Sequence, residues 1–98
     1  MNDQSTQQHT HKDNMKALFY PYDSDAKVIT IETFTDAQEC VGGIVEIQYK
    51  GNAELFVFNE EGRIMELPQN KHFPQFVGNV LVVNRKKFDN LPFGIQGV

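Results

Sequence analysis

The sequence predicts an α+β domain, a mostly antiparallel sheet of five or six strands with one short helix, preceded by a disordered N-terminal tail. Short runs of β-branched and aromatic residues recur along the chain, each bounded by turn residues, and this pattern is typical of strands. One segment instead carries helix-capping residues and ends in two glycines. Tight turns join consecutive strands, which favours antiparallel pairing.

Length and composition predict one domain with short tails. The chain has 98 residues, of which 40% are hydrophobic, an ordinary composition for one globular domain. Residues 1–15 hold no apolar side chain between Met1 and Met15, so we expect a disordered tail there. We place the folded domain over residues 16–92 and a short C-terminal tail over residues 93–98.

Location and cofactors are predicted from what the sequence lacks. No apolar run approaches the ~20 residues of a membrane-spanning helix, and the N-terminus has no apolar core of a secretory signal. Cys40 is the single cysteine and cannot form an internal disulfide, so a reducing, cytoplasmic location is expected. His9 and His11 lie in the tail, where they would hold a metal weakly. We predict no metal site, no cofactor and no membrane contact.

Two strands open the predicted domain. Lys16–Tyr20 (KALFY) ends at Pro21, which has no backbone N–H to donate to a strand ladder. Lys27–Glu32 (KVITIE) alternates β-branched and polar residues, which favours a strand. An Asp-Ser-Asp turn connects the two strands.

A short helix is predicted next. Thr35 is placed as its N-cap, with Gln38 at the capping-box spacing. Asp36 and Glu39 suit the positive end of the helix dipole. The Gly-Gly pair at 42–43 supplies the left-handed residue that ends a helix.

A hairpin is predicted in the middle of the chain. We expect a strand over Ile44–Tyr49 with one buried and one wet face. Val45, Ile47 and Tyr49 would form the buried face. After a Lys-Gly-Asn turn, Glu54–Asn59 is apolar on both faces, so we place it inside the sheet.

Two further strands complete the predicted sheet. Asn59–Gly62 is interpreted as a second hairpin turn with Gly62 at positive φ. Arg63–Leu67 would return as a short strand. Val77–Asn84 is the last strand, and it is too apolar for an edge exposed to water.

Charge is unevenly distributed along the chain. Residues 23–66 carry ten carboxylates against three basic side chains, a net charge of −7, whereas residues 67–98 carry four basic side chains against one carboxylate, net +3. The balance disfavours direct nucleic-acid binding, which needs a basic face. It fits either a basic protein partner or an acidic face that serves solubility alone.

The sequence contains no catalytic constellation, so we predict that the protein is not an enzyme. Cys40 and His72 could form a nucleophile and base. Cys40 lies near the end of the predicted helix, where the dipole does not lower a thiol pKa. We therefore interpret it as a small buried residue.

The candidate binding site is the loop LPQNKHFPQF with the acidic turn that precedes it. Binding residues concentrate on loops held by a rigid scaffold. The alternative is a plain connection held down by its own Phe side chains. The candidate residues are Leu67, Pro68, Asn70, Lys71, His72, Phe73 and Phe76 in the loop, and Asn59, Glu60 and Glu61 in the turn.

These motifs resemble a known family. The order FNEEG (Phe58–Gly62), L-P-x-N at residues 67–70, Gly78 and the apolar run Val80–Val83 is similar to the domain-of-unknown-function family DUF3846, small proteins of phages, plasmids and gut-associated bacteria. The resemblance covers about residues 16–83 and departs at Lys71, where family members often carry Arg. It implies a mobile-element accessory protein and carries over no activity.

We therefore expect a non-catalytic binding protein of a phage, prophage or plasmid, acting on a host or element-encoded protein. One alternative is a small-molecule-binding domain that uses Asn59, Asn70, Asn79 and Asn84. Another is inhibition of a host DNA-processing or defence enzyme by acidic mimicry. A homodimer is also expected, because one short helix would leave Phe56 and Phe58 exposed on the other face of the sheet.

Overall fold

The computed structural model describes residues 15–92. These residues form the strands and helices β1 (Met15–Tyr20), β2 (Lys27–Ile31), α1 (Phe34–Val41), β3 (Val45–Lys50), β4 (Glu54–Asn59), β5 (Val80–Asn84) and α2 (Arg85–Asp89). The predicted tails over residues 1–15 and 93–98 lie outside the described residues, except for Met15, which opens β1 and is buried.

The strands of residues 15–92 form one five-stranded antiparallel sheet in the order β2-β1-β5-β4-β3. β5 lies at the centre, where its Val80–Val83 run is buried. β4 lies inside the sheet, between β5 and β3. The predicted antiparallel α+β fold and the interior place of β4 are therefore confirmed.

One face of the sheet carries the main hydrophobic core. α1 packs over this face with Ala37 and Val41. An isolated helix of eight residues is unstable in water, so this packing is what holds α1 in place. The strands contribute side chains that are fully or almost fully buried, among them Ile31, Leu55, Val57, Leu81 and Val83.

The opposite face, which we call the aromatic face, is covered by the loop between β4 and β5. Phe76 packs with its ring centroid 5.0 Å from that of Phe56 and 4.5 Å from that of Phe58. Phe73 lies 5.1 Å from Phe56. The apolar patch expected at Phe56 and Phe58 is thus covered internally, and Phe56 is only 8% exposed. The homodimer was predicted from the exposure of these two side chains, and their coverage by the loop removes that reason for it.

α1 is capped by Thr33, and the prediction of Thr35 as N-cap is wrong. Thr33 Oγ1 accepts the Asp36 N–H at 3.1 Å, and Asp36 Oδ2 accepts the Thr33 N–H at 3.2 Å. This reciprocal capping box satisfies two backbone donors at the helix start. Gly42, with φ of 84°, ends the helix in the left-handed conformation, as predicted.

A second short helix, α2, follows β5 and was not predicted. Asn84 caps it by accepting the Lys87 N–H at 2.9 Å. Its one buried side chain, Phe88, packs against Phe34 with ring centroids 5.9 Å apart. The single helix that was predicted is therefore corrected to two within residues 15–92.

The segment after β4 forms consecutive turns, so the strand predicted over Arg63–Leu67 is wrong. The Leu67 N–H donates to the Gly62 carbonyl at 3.0 Å. A backbone group that bonds within its own turn is not free to bond a neighbouring strand. Gly62 does not have the predicted positive φ; Glu66 has, at 59°. Gly62 is instead required for space, because a Cβ there would lie 2.9 Å from Val77 Cγ2.

β5 begins at Val80, three residues later than the predicted strand Val77–Asn84. Val77 forms an isolated bridge with Gln69. Gly78 then has φ of 78°, which interrupts the extended backbone. A Cβ at this glycine would lie 2.8 Å from Leu67 Cδ1, so the glycine allows Leu67 to pack against the chain.

β3 is an edge strand, and the prediction that one of its faces is buried is wrong. Ile47 is 42% exposed and Tyr49 is 65% exposed, although both point to the α1 side of the sheet. Among the inward positions, Val45 alone packs against the core, at its margin. α1 lies mainly over the inner strands and does not reach the rest of β3.

Candidate functional site

A groove of about 320 Å³ lies on the aromatic face, beside the β3–β4 hairpin, and we call it the acidic groove. Phe58 and Phe76 form apolar parts of its lining, and Ile64, which is 84% exposed, forms part of a wall. The turns after β4 and the segment at residues 75–77 supply the other walls. The groove therefore combines apolar and polar lining residues with open access from solvent.

Carboxylates border the acidic groove without ionic partners. Glu46 from β3 and Glu60 from the turn are exposed, and neither has an ion-pair partner within residues 15–92, where the ion pair is that of Lys50 with Glu54. Arg63 also borders the groove, but it donates to the Gln75 carbonyl oxygen at 2.9 Å. A bound basic side chain would find two accessible carboxylates here.

The LPQN motif is an internal anchor. Asn70 is fully buried, and its Nδ2 donates to the Tyr20 carbonyl at 3.0 Å and to the Gly78 carbonyl at 2.9 Å. Its Oδ1 accepts the His72 and Phe73 N–H groups at 2.8 and 3.1 Å. These four bonds use the full capacity of an amide side chain, so Asn70 ties the loop to the end of β1 and to the segment before β5.

The two loop phenylalanines are held against the aromatic face. Phe76 is 5% exposed, and Phe73 packs edge-on to Tyr20 with ring centroids 4.7 Å apart. Phe76 therefore cannot reach a partner without opening the loop, and Phe73 is partly buried by its packing on the sheet. Of the two interpretations of this loop, the structure favours a connection held down by its own aromatic side chains.

Other predicted binding residues lie away from the acidic groove. His72 Nε2 is 2.6 Å from the Ser24 carbonyl, which can only accept, so Nε2 carries the proton. Lys71 is exposed beside it, and its N–H donates to the Tyr22 carbonyl. Leu67 and Pro68 line a second, smaller cavity of about 170 Å³ beside the end of α1.

Two further asparagines hold the C-terminus of α1. Asn59 Nδ2 donates to the Val41 carbonyl at 3.2 Å, and Asn79 Nδ2 donates to the Cys40 carbonyl at 3.1 Å. Asn59 Oδ1 accepts the N–H of Glu61 at 2.7 Å, whose side chain stays exposed. Asn59 is 3% exposed, so its role here is structural although it borders the acidic groove.

The structure thus brings three of the predicted residues, Asn59, Glu60 and Phe76, to the acidic groove. Seven further residues line the groove and were not among the predicted binding residues: Glu46, Gln48, Phe58, Arg63, Ile64, Gln75 and Val77. Glu46 could have been recognised from the sequence, because it lies on the water-exposed face of the strand predicted over Ile44–Tyr49. The turns that bring Ile64 and Arg63 to the groove were predicted as a strand.

Comparison with protein families identifies the domain. The family model described as "Domain of unknown function (DUF3846)" matches residues 15–93. The chain belongs to this family. The resemblance found in the sequence motifs is therefore confirmed. No curated protein and no solved structure matches the chain.

In this DUF3846 domain, Cys40 and His72 lie on opposite faces of the sheet. Cys40 packs against the core under α1, whereas His72 lies edge-on to Tyr20 on the aromatic face. The two therefore do not form a nucleophile and base. Burial raises the pKa of the Cys40 thiol, and the charges of Asp36 and Glu39 raise it further.

Residues 15–92 contain no group of three or more His, Cys, Asp or Glu side chains placed to hold a metal ion. None of the helices in this range has the length and apolar character needed to cross a membrane.

We predict that Asn70→Ala lowers the free energy of unfolding by about 3 kcal/mol, because four hydrogen bonds are lost and their backbone partners stay buried. Asn70→Asp keeps the shape but loses both donors, so it should also be destabilising. Gln69→Ala, which removes one exposed bond to the Pro74 carbonyl, should cost less than about 1 kcal/mol. Urea unfolding of the three variants is the measurement. Equal stabilities for Asn70→Ala and Gln69→Ala would contradict the anchor.

We predict that Cys40 is alkylated slowly at neutral pH and faster as the pH rises, because the raised pKa lowers the fraction of reactive thiolate. Glu39→Gln removes one of the repelling charges and should increase the rate at low ionic strength. Added salt should reduce the difference, because Glu39 is exposed. Iodoacetamide kinetics followed by mass spectrometry test this. A rate equal to that of a free cysteine would contradict it.

Proposed function

We propose that this domain is a non-catalytic protein-binding domain whose recognition surface is the acidic groove. Its partner would present basic and apolar side chains on one segment. The observation that carries the proposal is an open groove with apolar side chains in its lining and two bordering carboxylates that have no ionic partner within residues 15–92. The phage, prophage or plasmid origin implied by the family resemblance makes a host or element-encoded protein the expected partner.

The apolar part of the groove supplies a place for an anchoring side chain. Interfaces gain most of their affinity from a few apolar or aromatic side chains buried in a pocket. Phe58 is half-buried at the groove and Ile64 is 84% exposed on its wall. Covering these two side chains removes apolar surface from water, which favours association.

The carboxylates at the rim of the groove would orient a basic partner. Glu46 and Glu60 lie on the same groove, and the sequence around them from residue 23 to residue 66 has a net charge of −7. Complementary charge mainly speeds encounter and selects among partners. The rim carboxylates are exposed, so their contribution should weaken as salt is added.

A small-molecule ligand has less support. Asn59, Asn70, Asn79 and Asn84, the amides expected to bind such a ligand, each make hydrogen bonds within the chain. The acidic groove is also at the low end of the roughly 300–1,000 Å³ of typical ligand sites. It is open along the surface, whereas such sites enclose most of their ligand.

Acidic mimicry of nucleic acid also has less support. A mimic needs its carboxylates in one ordered array that follows the spacing of phosphates. Glu46 points to the aromatic face, whereas Glu39 is on α1 over the other face. Glu54 is neutralised by Lys50 at 3.3 Å. The acidic residues are therefore distributed around the domain.

We predict that the double variant Glu60→Lys, Ile64→Ser loses partners that the wild-type protein captures. One change reverses a rim charge and the other removes an apolar wall. The matched control is Glu39→Lys, Val28→Ser, which makes the same chemical changes at an exposed position of α1 and of β2. Quantitative capture from a cell extract, with thermal unfolding to verify folding, is the measurement.

The proposal requires that at least one partner is retained by the control variant and lost by the groove variant. Capture of the same proteins in the same amounts by all three proteins would contradict it. Loss in the control variant as well would show that net charge, and not the groove, determines capture.

A further inference from the structure

The backbone of β3 offers hydrogen-bonding groups along its free edge. The Glu60 N–H donates to the Ile44 carbonyl at 2.7 Å, and Val45 lies opposite Asn59. In an antiparallel pair, alternate residues bond to the partner strand. Glu46, Gln48 and Lys50 therefore bond to β4, and the N–H and C=O groups of the alternate residues between them point outward, away from the sheet.

The side chains at these outward positions are apolar and exposed. Ile47 is 42% exposed and Tyr49 is 65% exposed. Proteins usually protect such an edge with charge, proline or a covering segment, because an exposed edge pairs with another strand. Within residues 15–92, β3 ends the sheet, and its residues from Glu46 to Lys50 are all exposed. The edge is available to a sixth strand.

The sequence of β3 is complementary to itself when two copies run antiparallel. With the two-fold axis at Gln48, Glu46 of one copy faces Lys50 of the other. In the same register, Ile47 faces Tyr49 of the other copy. Opposite charges and aromatic–aliphatic pairs are cross-strand contacts that stabilise antiparallel strands. The outward backbone N–H and C=O groups of Ile47 in one copy and of Tyr49 in the other would bond to each other.

We propose that two copies of this domain associate through β3, in antiparallel pairing centred on Gln48, to form one continuous sheet. The proposal does not depend on the acidic groove, and it differs from the homodimer expected through Phe56 and Phe58, which are covered by the loop. Lys50 already contacts Glu54 at 3.3 Å. In the dimer it would lie between that carboxylate and Glu46 of the second copy.

The other sheet edge lacks this complementarity and provides a control. The Arg85 N–H donates to the Ala53 carbonyl, so these two residues form a hydrogen-bonded pair. Bonded and non-bonded pairs alternate along each pair of antiparallel strands. When this alternation is followed from β4 through β5 and β1 to β2, the backbone groups of Val28 and Thr30 point outward from the sheet. Pairing two copies of β2 about its central residue would place Lys27 opposite Ile31. No opposite charges meet in that arrangement.

Pairing about an axis perpendicular to the sheet keeps each face of the two copies on the same side. Both acidic grooves would therefore open on one side of the dimer, next to the axis, since Glu46 and Gln48 line the groove and lie on β3. Because Glu46 would face Lys50 of the second copy, Glu60 would be the carboxylate of each groove that stays free for a basic side chain. A partner with two basic segments could occupy both grooves. Linked binding of this kind increases affinity without new contacts.

The first test uses charge reversal and sedimentation equilibrium. Glu46→Lys alone places Lys opposite Lys50 twice, and Lys50→Glu alone places Glu opposite Glu46 twice, so each variant should dimerise weakly. The two variants mixed should pair with each other through two opposite-charge contacts, with a dissociation constant about tenfold lower than for either alone. A mixture that associates no more than its components would overturn this register.

The second test removes an outward donor. Ile47→Pro deletes an outward N–H without deleting a β3–β4 bond, and it should give a mass of one chain where the wild-type protein gives two. Val28→Pro, at an outward position of β2, should leave the dimer unchanged. A wild-type mass of one chain at all concentrations, or equal effects of the two prolines, would overturn the proposal. If Ile47→Pro fails to fold, the charge-reversal result decides.

The third test is a disulfide across the axis. Residues facing each other in a non-hydrogen-bonded pair have Cα atoms about 4.5 Å apart, within the roughly 4.4–6.8 Å that a disulfide spans. Gln48→Cys in a Cys40→Ser background should oxidise to a linked dimer. Glu46→Cys in the same background should not, because its copies would be about 13 Å apart. Equal linking of both variants, or none with Gln48→Cys, would contradict the axis.

Discussion

The buried amide of Asn70 determines how the rest of the domain is arranged. It joins the end of β1 to the segment that enters β5, and it orders the backbone of the loop between them. A loop with no regular secondary structure can be buried only if its polar groups are bonded. Asn70 meets that requirement at the point where Phe73 and Phe76 cross the aromatic face. The sheet therefore gains a second covered face without a second helix over it.

This arrangement also explains where exposed surface remains. The loop covers the inner strands on the aromatic face, and α1 covers them on the other face. Neither reaches the free edge of β3, which keeps Ile47 and Tyr49 accessible. The acidic groove lies where the loop and the turns after β4 fail to close completely over Phe58. Both proposed interaction surfaces are thus consequences of a small domain with too few elements to cover a five-stranded sheet.

Local sequence patterns predicted the strands and the α1 region because hydrophobic alternation and capping residues act over short distances. β1, β2 and β4 agree with the predicted bounds within one residue. The burial of β3 could not be predicted, since its alternation is that of a half-buried strand and only the strand order shows that it is an edge. The turns after β4 were missed because the space that Gly62 provides for Val77 depends on a contact distant in sequence. The buried role of Asn70 was missed because its amide donates to Tyr20 at the end of β1 and to Gly78 in the segment before β5, contacts that a local sequence pattern does not show.

Asn70 fixes the loop from Leu67 to Asn79 to the sheet, and native-state amide hydrogen exchange measures this attachment directly. The N–H groups of His72 and Phe73 bond to Asn70 Oδ1, and the N–H of Asn70 bonds to the Phe76 carbonyl. We predict that these three amides open only with free energies close to those of the β5 amides, in spite of their place in a loop. Exchange of these amides at the rates of an unfolded chain, while β5 stays protected, would contradict it.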